Sequence, residues 1–333
     1  MKIGSIEAGL GEKAFGFLTA TETHGHFPVQ APLHIVQGTQ PGPVLLVQAG
    51  VSGLEIEPAA VLPQLVKEID PSTLRGTLLV VPMFNMSGFE FEQINAIWDD
   101  KDLSTLGRGN PRGTVSEVLV HTYFNEVIGR ADAILDVHTG AQWGYEWYAG
   151  VYAARGSQQA QALAAALGLP QVLVGQPEDG SSVLEAARDG KMVVSVRLGG
   201  GPGLRDFRDE FESRLRNAVL NAMRHLQMID GPLQADVAQV TVLRLPAVLK
   251  QEGPRGFVFM DASKRGQAVA KGDALGIVRH AHTGETLQTI TAPKAGVVIH
   301  SGAVWPVVPE DAHVAIIAEP YQEIGFGEAL QTI

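Results

Sequence analysis

No cysteine occurs among the 333 residues, which excludes disulfides and thiolate chemistry and fits a reducing compartment. Positive charge is also in short supply. The 25 Lys and Arg stand against 36 Asp and Glu, a formal net charge of −11. Nucleic acid and anionic membrane surfaces select Lys/Arg-rich faces, so neither is expected as a partner. No apolar run approaches the roughly 20 residues needed to cross a bilayer, and the first residues, Met1 to Gly9, lack the apolar stretch of a secretory signal. A cytoplasmic globular protein is the expectation. Core-forming residues are plentiful, with 45% hydrophobic against 18% charged. The length exceeds the usual single compact domain, so two are expected.

Apolar runs alternate with amphipathic stretches until about residue 228. Pro43 to Ala49, Thr77 to Met83, Ala133 to Val137, Val172 to Val174 and Met192 to Leu198 read as strands. Their nearly continuous apolar character suits a sheet covered on both faces. Pro58 to Ile69, Val115 to Ile128, Ser157 to Leu167 and Phe207 to Met228 have helical periodicity. This alternation predicts an α/β domain with a mostly parallel sheet. Asp230-Gly231-Pro232 breaks the pattern and marks a boundary. Beyond Val240 the chain turns to short β segments and Gly turns, as in a barrel-sandwich of lipoyl or biotinyl type. Lys294 is the candidate for modification there, but its Ala292-to-Gly296 setting enters a strand instead of forming an exposed hairpin tip.

Two segments carry the chemistry. Val44 to Glu55 is an apolar run that passes through Gly50, Val51, Ser52 and Gly53 to reach Glu55; Ala131 to Gly140 ends in Asp136, Val137, His138, Thr139 and Gly140. A buried parallel strand delivers side chains to the carboxyl edge of its sheet in this way. Carboxylate and imidazole are zinc-ligand chemistry. Together these segments resemble the succinylglutamate desuccinylase/aspartoacylase family, relatives of zinc carboxypeptidases that hydrolyse the amide of N-acyl amino acids. The family's first strand leads into Ala-Gly-x-His-Gly-x-Glu, and a later strand ends in Asp-x-His-Thr-Gly. Gly76 to Asn85 and Gly190 to Gly200 are similar to two further strands of that family, and the last hundred residues to its C-terminal β domain. The resemblance implies a carboxypeptidase-like mostly parallel sheet flanked by helices over residues 1–230, and a β-rich lipoyl/biotinyl-like domain over 231–333. It also implies zinc, with Glu55 and His138 as ligands.

The departures cluster at the chemistry. Ser52 stands where the first His ligand belongs, which leaves the zinc site incomplete. Arg197 stands at the position of the catalytic Glu. Ser104 and Thr105 replace the Asn and Arg that grip the substrate carboxylate.

Each candidate also has a plainer reading. Asp136 lies two residues before His138, on the same strand face, and would orient it whether or not metal binds. Glu55 precedes a helix whose dipole favours a carboxylate. Ser52 could cap that helix; as a nucleophile it lacks the second Gly of an elbow. Arg197 interrupts an apolar strand, so its guanidinium must pair with a carboxylate such as Glu55 or hold an anion. The pairs His24/His26 and His280/His282 have metal-like spacing but lie in Gly-bearing turns. Trp143, Tyr145, Glu146 and Trp147 could wall a pocket. Glu57, Glu146, Glu178 and Glu185 are the carboxylates available for proton transfer.

Two functions follow. One is a diverged hydrolase acting on an amide or related C–N bond of a small acidic substrate, with a rebuilt metal site. The other is an inactive binding or regulatory protein on the same fold. In both, Arg197, Ser52 and Ser104 would contact an anionic small molecule, and an oligomer is compatible with the sequence.

Overall fold

The computed structural model describes residues 1–140, 145–152, 157–176, 180–199, 208–250, 253–302, 304–306 and 313–328. Among the described residues a twelve-stranded mixed sheet is the spine. Four strands at its centre run parallel, in the order Arg75–Val81, Gln40–Ala49, Ala133–His138, Met192–Gly199. These are the apolar runs the sequence marks, and most of their residues are buried. Both faces are covered, so alternation is not needed to hide them.

On one side the sheet continues antiparallel through Pro28–Gln37 to the edge strand Glu12–Glu22. On the other side Tyr145–Tyr152 pairs antiparallel with Met192–Gly199, and Gln171–Gln176 joins it in parallel. Gln239–Lys250 then pairs in parallel with Gln171–Gln176, and His313–Gly325, Gly296–Ser301 and Ala268–Val269 follow antiparallel. The sheet therefore runs on across the expected boundary at Asp230. A separate four-stranded sheet in the C-terminal region orders Thr286–Thr291, Ala274–Arg279, Phe257–Met260 and Val304–Pro306.

Helices cover both faces. Glu57–Glu68, Ser157–Ala166 and Arg208–His225 bury their apolar stripes in one cluster with Leu45, Val47, Leu135 and Val196. Val115–Glu126 and Ser182–Arg188 pack on the other face with Leu46, Ile134, Leu79 and Val193. Two of their ends show how open groups are met. The Thr114 amide donates to Glu117 Oε2 at 2.7 Å, and Lys13 Nζ donates to the Val66 and Lys67 carbonyls at 2.9 Å, groups left open by helix termini. Lys294 donates to the Leu245 carbonyl and to Glu319 Oε1, and it precedes the strand Gly296–Ser301 as its sequence setting suggests.

The division into 1–230 and 231–333 stays a proposal, and the sheet supplies its test. Truncation after residue 230 strips the partner strand from Gln171–Gln176 and exposes a buried apolar edge. The fragment is expected to aggregate or lose cooperative unfolding, as followed by gel filtration and urea denaturation. A monomeric fragment with the stability of the full chain would disprove the expectation.

Candidate functional site

The site begins with register. Gln48, Asp136 and Ser195 are paired across three neighbouring parallel strands, and His138 lies opposite Arg197 two residues on. Side chains two apart share a face. One face therefore presents an amide, a carboxylate and a hydroxyl in one row, with an imidazole and a guanidinium in the next.

Glu55 arrives by a different route. Gly50 follows the strand with a positive φ of 65°, where a Cβ would strike Met83. Gly53 packs so closely on the next loop that a Cβ would lie 2.1 Å from the Gly88 carbonyl carbon. That loop is anchored by Asn85, whose amide donates to the Gly50 carbonyl at 2.7 Å and whose Oδ1 accepts from the Gly88 amide at 2.8 Å. The two glycines let the chain fold back sharply enough to bring Glu55 over the strand that carries His138.

The polar groups join in one line. The Tyr123 hydroxyl, on the helix Val115–Glu126, donates to Gln48 Oε1 at 2.7 Å. Gln48 Nε2 donates to Asp136 Oδ1 at 2.8 Å. His138 Nε2 meets Asp136 Oδ2 at 2.8 Å, and its Nδ1 lies 3.1 Å from both oxygens of Glu55. Gln48, Glu55, Tyr123 and Asp136 are all buried. Beside this line Thr139 Oγ1 donates to buried Glu57 at 3.1 Å. Arg197 donates from Nε to Ser195 Oγ at 3.0 Å.

Charge follows this geometry. Burial and the Arg197 cation both press the His138 pKa down, but Asp136 and Glu55 outweigh them and raise it to about 10. Burial would raise the Asp136 carboxyl, yet His138, Gln48 and Arg197 hold it below its ordinary value. Burial, with the Asp136 charge behind it, pushes the Tyr123 phenol well above its usual range. His138 is thus an imidazolium donating to two carboxylates.

A cavity of about 20 Å³ adjoins the line, bounded by Gln48, Tyr123, Asp136, His138, Ser104 and Ser182 among others. Ser104, picked from sequence, is brought to the same cavity as His138, with its Oγ donating to Asp102 Oδ1 at 2.7 Å. Ser181 and Ser182 also line it, and sequence reasoning missed them. The helix Ser182–Arg188 that carries them is short, and its capping serine was the one available signal.

Ser52 corrects one expectation. Its Oγ accepts from the Leu54 amide at 3.3 Å, a local turn, while the helix itself begins at Glu57 after an Ile56 cap. Arg197 is not the partner of Glu55, whose carboxylate faces His138. Glu185 is held by Arg108 and Arg188. His26 pairs with exposed Glu22, and His280 Nδ1 accepts from the His282 and Thr283 amides. Trp143 and Glu178 lie outside the described residues, as do the side chains of Tyr145, Glu146 and Trp147.

A catalytic zinc takes three protein ligands and keeps an open position. Here Glu55 and His138 meet each other, Ser52 is turned to a backbone amide, and both imidazole nitrogens are engaged. Among the described residues no group of three or more His, Asp or Glu side chains is arranged to hold a metal ion. The described side chains do not fit the metal that the resemblance implies.

The line of hydrogen bonds has a measurable weak point. Tyr123→Phe keeps the ring and removes the donor to Gln48, leaving a buried acceptor unpaired. A loss of about 1–3 kcal/mol in urea unfolding is expected. An unchanged midpoint would show that the tyrosine hydroxyl does not hold the line.

Comparison with known proteins agrees with the architecture. The model of the Succinylglutamate desuccinylase/Aspartoacylase catalytic domain matches residues 41–226. The N-alpha-acetyl-L-2,4-diaminobutyric acid deacetylase of Halomonas elongata is 25% identical over 224 residues, 66% of this chain. The match spans 64% of that relative's length. Among solved structures, the product-bound ectoine utilization protein EutE (DoeB) from Ruegeria pomeroyi superposes with a TM-score of 0.80 at 22% identity, covering 92% of this chain and 94% of its own. A succinylglutamate desuccinylase/aspartoacylase from Rhodobacter sphaeroides gives 0.79 at 20% identity, covering 93% and 95%. At such identities these two superpositions establish the fold.

Proposed function

Because this chain belongs to the succinylglutamate desuccinylase/aspartoacylase family, we propose that it acts on an amide or related C–N bond of a small acidic compound held beside His138. The observation that carries this reading is the placement of Arg197 in register with His138 on one face of the sheet, at the carboxyl ends of parallel strands. Open α/β sheets receive ligands at that edge. A guanidinium there suits a carboxylate, which it can grip through two parallel N–H donors. The deacetylase name of the curated relative supports C–N chemistry for the lineage.

The chain's own residues supply binding and orientation. Arg197 would take the anionic end of the ligand. Ser104, Ser181 and Ser182 line the cavity, their hydroxyls held by Asp102, the Leu184 amide and the Gly107 carbonyl. Asp136 and Glu55 fix the imidazolium of His138, which presents positive charge to the pocket. The described donors do not complete a site for zinc.

A binding protein without turnover is the second reading, and one observation favours it. With Nδ1 on Glu55 and Nε2 on Asp136, His138 has no nitrogen left to take a proton from water. Purified protein incubated with a panel of acidic N-acyl amino acids separates the two. Amine release that is lost in Arg197→Ala supports the hydrolase, and saturable binding without release supports the binder. Neither binding nor release would sink both.

Two expectations belong to this reading. Dialysed protein should hold far less than one zinc per chain by elemental analysis, and stoichiometric zinc on Glu55 and His138 would overturn the fit argument. Turnover of N-acetylaspartate or N-succinylglutamate should fall well below the usual enzymatic range of roughly 1–1,000 per second, because Ser104, Thr105 and Arg197 replace the family's substrate-gripping and catalytic groups. Ser52→His alone should not restore it.

A further inference from the structure

A second cleft, of about 300 Å³, opens elsewhere on the surface and shares no lining residue with the cavity at His138. That size falls at the lower end of small-molecule sites. Its walls include Glu90, Phe91 and Trp98, together with Pro28 and Val29. Phe91 is 59% exposed and Trp98 44% exposed. Phe27, next to Pro28, is exposed as well.

The rings are held but not used. Phe91 follows the short helix Met86–Glu90, and Glu92 then turns the chain with φ of 52°. Trp98 sits in a turn closed by the Ala96–Lys101 bridge, and Ser87 Oγ accepts from the Ile97 amide at 3.3 Å. Among the described residues, neither Phe91 nor Trp98 stacks on another ring or on an arginine, and the Glu90 carboxylate has no hydrogen bond or ion pair. Other polar groups at the cleft are committed: Asn85 to Gly88 and Ile94, Ser116 to Asp99.

Each class of ligand can be weighed against this set. An anion would face Glu90 and a chain of net charge −11. A bare divalent cation needs a cage of oxygens, and one carboxylate does not make one. An organic cation gains from both features, since aromatic faces attract an ammonium group and a carboxylate neutralises it. We infer that the cleft bounded by Glu90, Phe91 and Trp98 is a binding site for a small alkylammonium compound, independent of the pocket at His138.

The test uses the full chain and two probes, tetramethylammonium and its neutral counterpart tert-butanol, titrated by calorimetry and by tryptophan fluorescence. Tetramethylammonium is expected to bind and tert-butanol to bind far more weakly. Trp98→Ala should weaken the ammonium by about ten-fold, with partial recovery in Trp98→Phe, and Glu90→Gln by about three-fold. Both sites are exposed, so folding should be unaffected, as circular dichroism would show. Equal binding of the neutral probe, or ammonium binding indifferent to both substitutions, would overturn the inference. So would absence of ammonium binding with self-association abolished by Trp98→Ala, which would mark the patch as a contact between chains.

Discussion

A single hydrogen-bonded line, Tyr123 to Gln48 to Asp136 to His138 to Glu55, ties the helix Val115–Glu126, two central strands and the loop after Gly50 into one unit. Each member is buried or nearly so, where an unpaired polar group costs more than a pair gains. The direction of every donor follows from the ends. The tyrosine can only donate to the amide oxygen, so the amide nitrogen turns to Asp136, and the two carboxylates leave His138 as a double donor. The loop that brings Glu55 into place depends in turn on close approach at Gly53.

Charge is balanced across the same group of side chains. Glu55 and Asp136 bring two negative charges to a buried place, and the His138 imidazolium and the Arg197 guanidinium bring two positive ones. The pKa shifts register both cations acting on Asp136. The two buried carboxylates of this chain are thus balanced by cations of its own.

Much of this could be read beforehand. The central strands and the four longer helices follow from apolar runs and helical periodicity, because buried parallel strands and amphipathic helices have distinctive patterns. Glu12–Glu22, Pro28–Gln37 and Tyr145–Tyr152 did not stand out as strands. Their residues are more mixed in polarity, and Glu12–Glu22, at the sheet edge, leaves Phe15 and Phe17 exposed. Ser182–Arg188 was missed because seven residues carry too little periodicity to declare a helix.

Sequence alone determined which groups could meet at the site: Glu55, Asp136, His138 and Arg197 each end or follow an apolar run, and period two places Asp136 and His138 on one face. Only the tertiary structure decided the partners. Whether Arg197 pairs with Glu55 depends on inter-strand register and on the path of the loop through Gly50 and Gly53, and neither is written in local propensity. Gln48 and Tyr123 are 75 residues apart in the chain, so their roles were invisible until strand pairing and helix packing brought them together. Local sequence sets what a segment can offer, whereas register and packing, which are long-range, set what it is offered to.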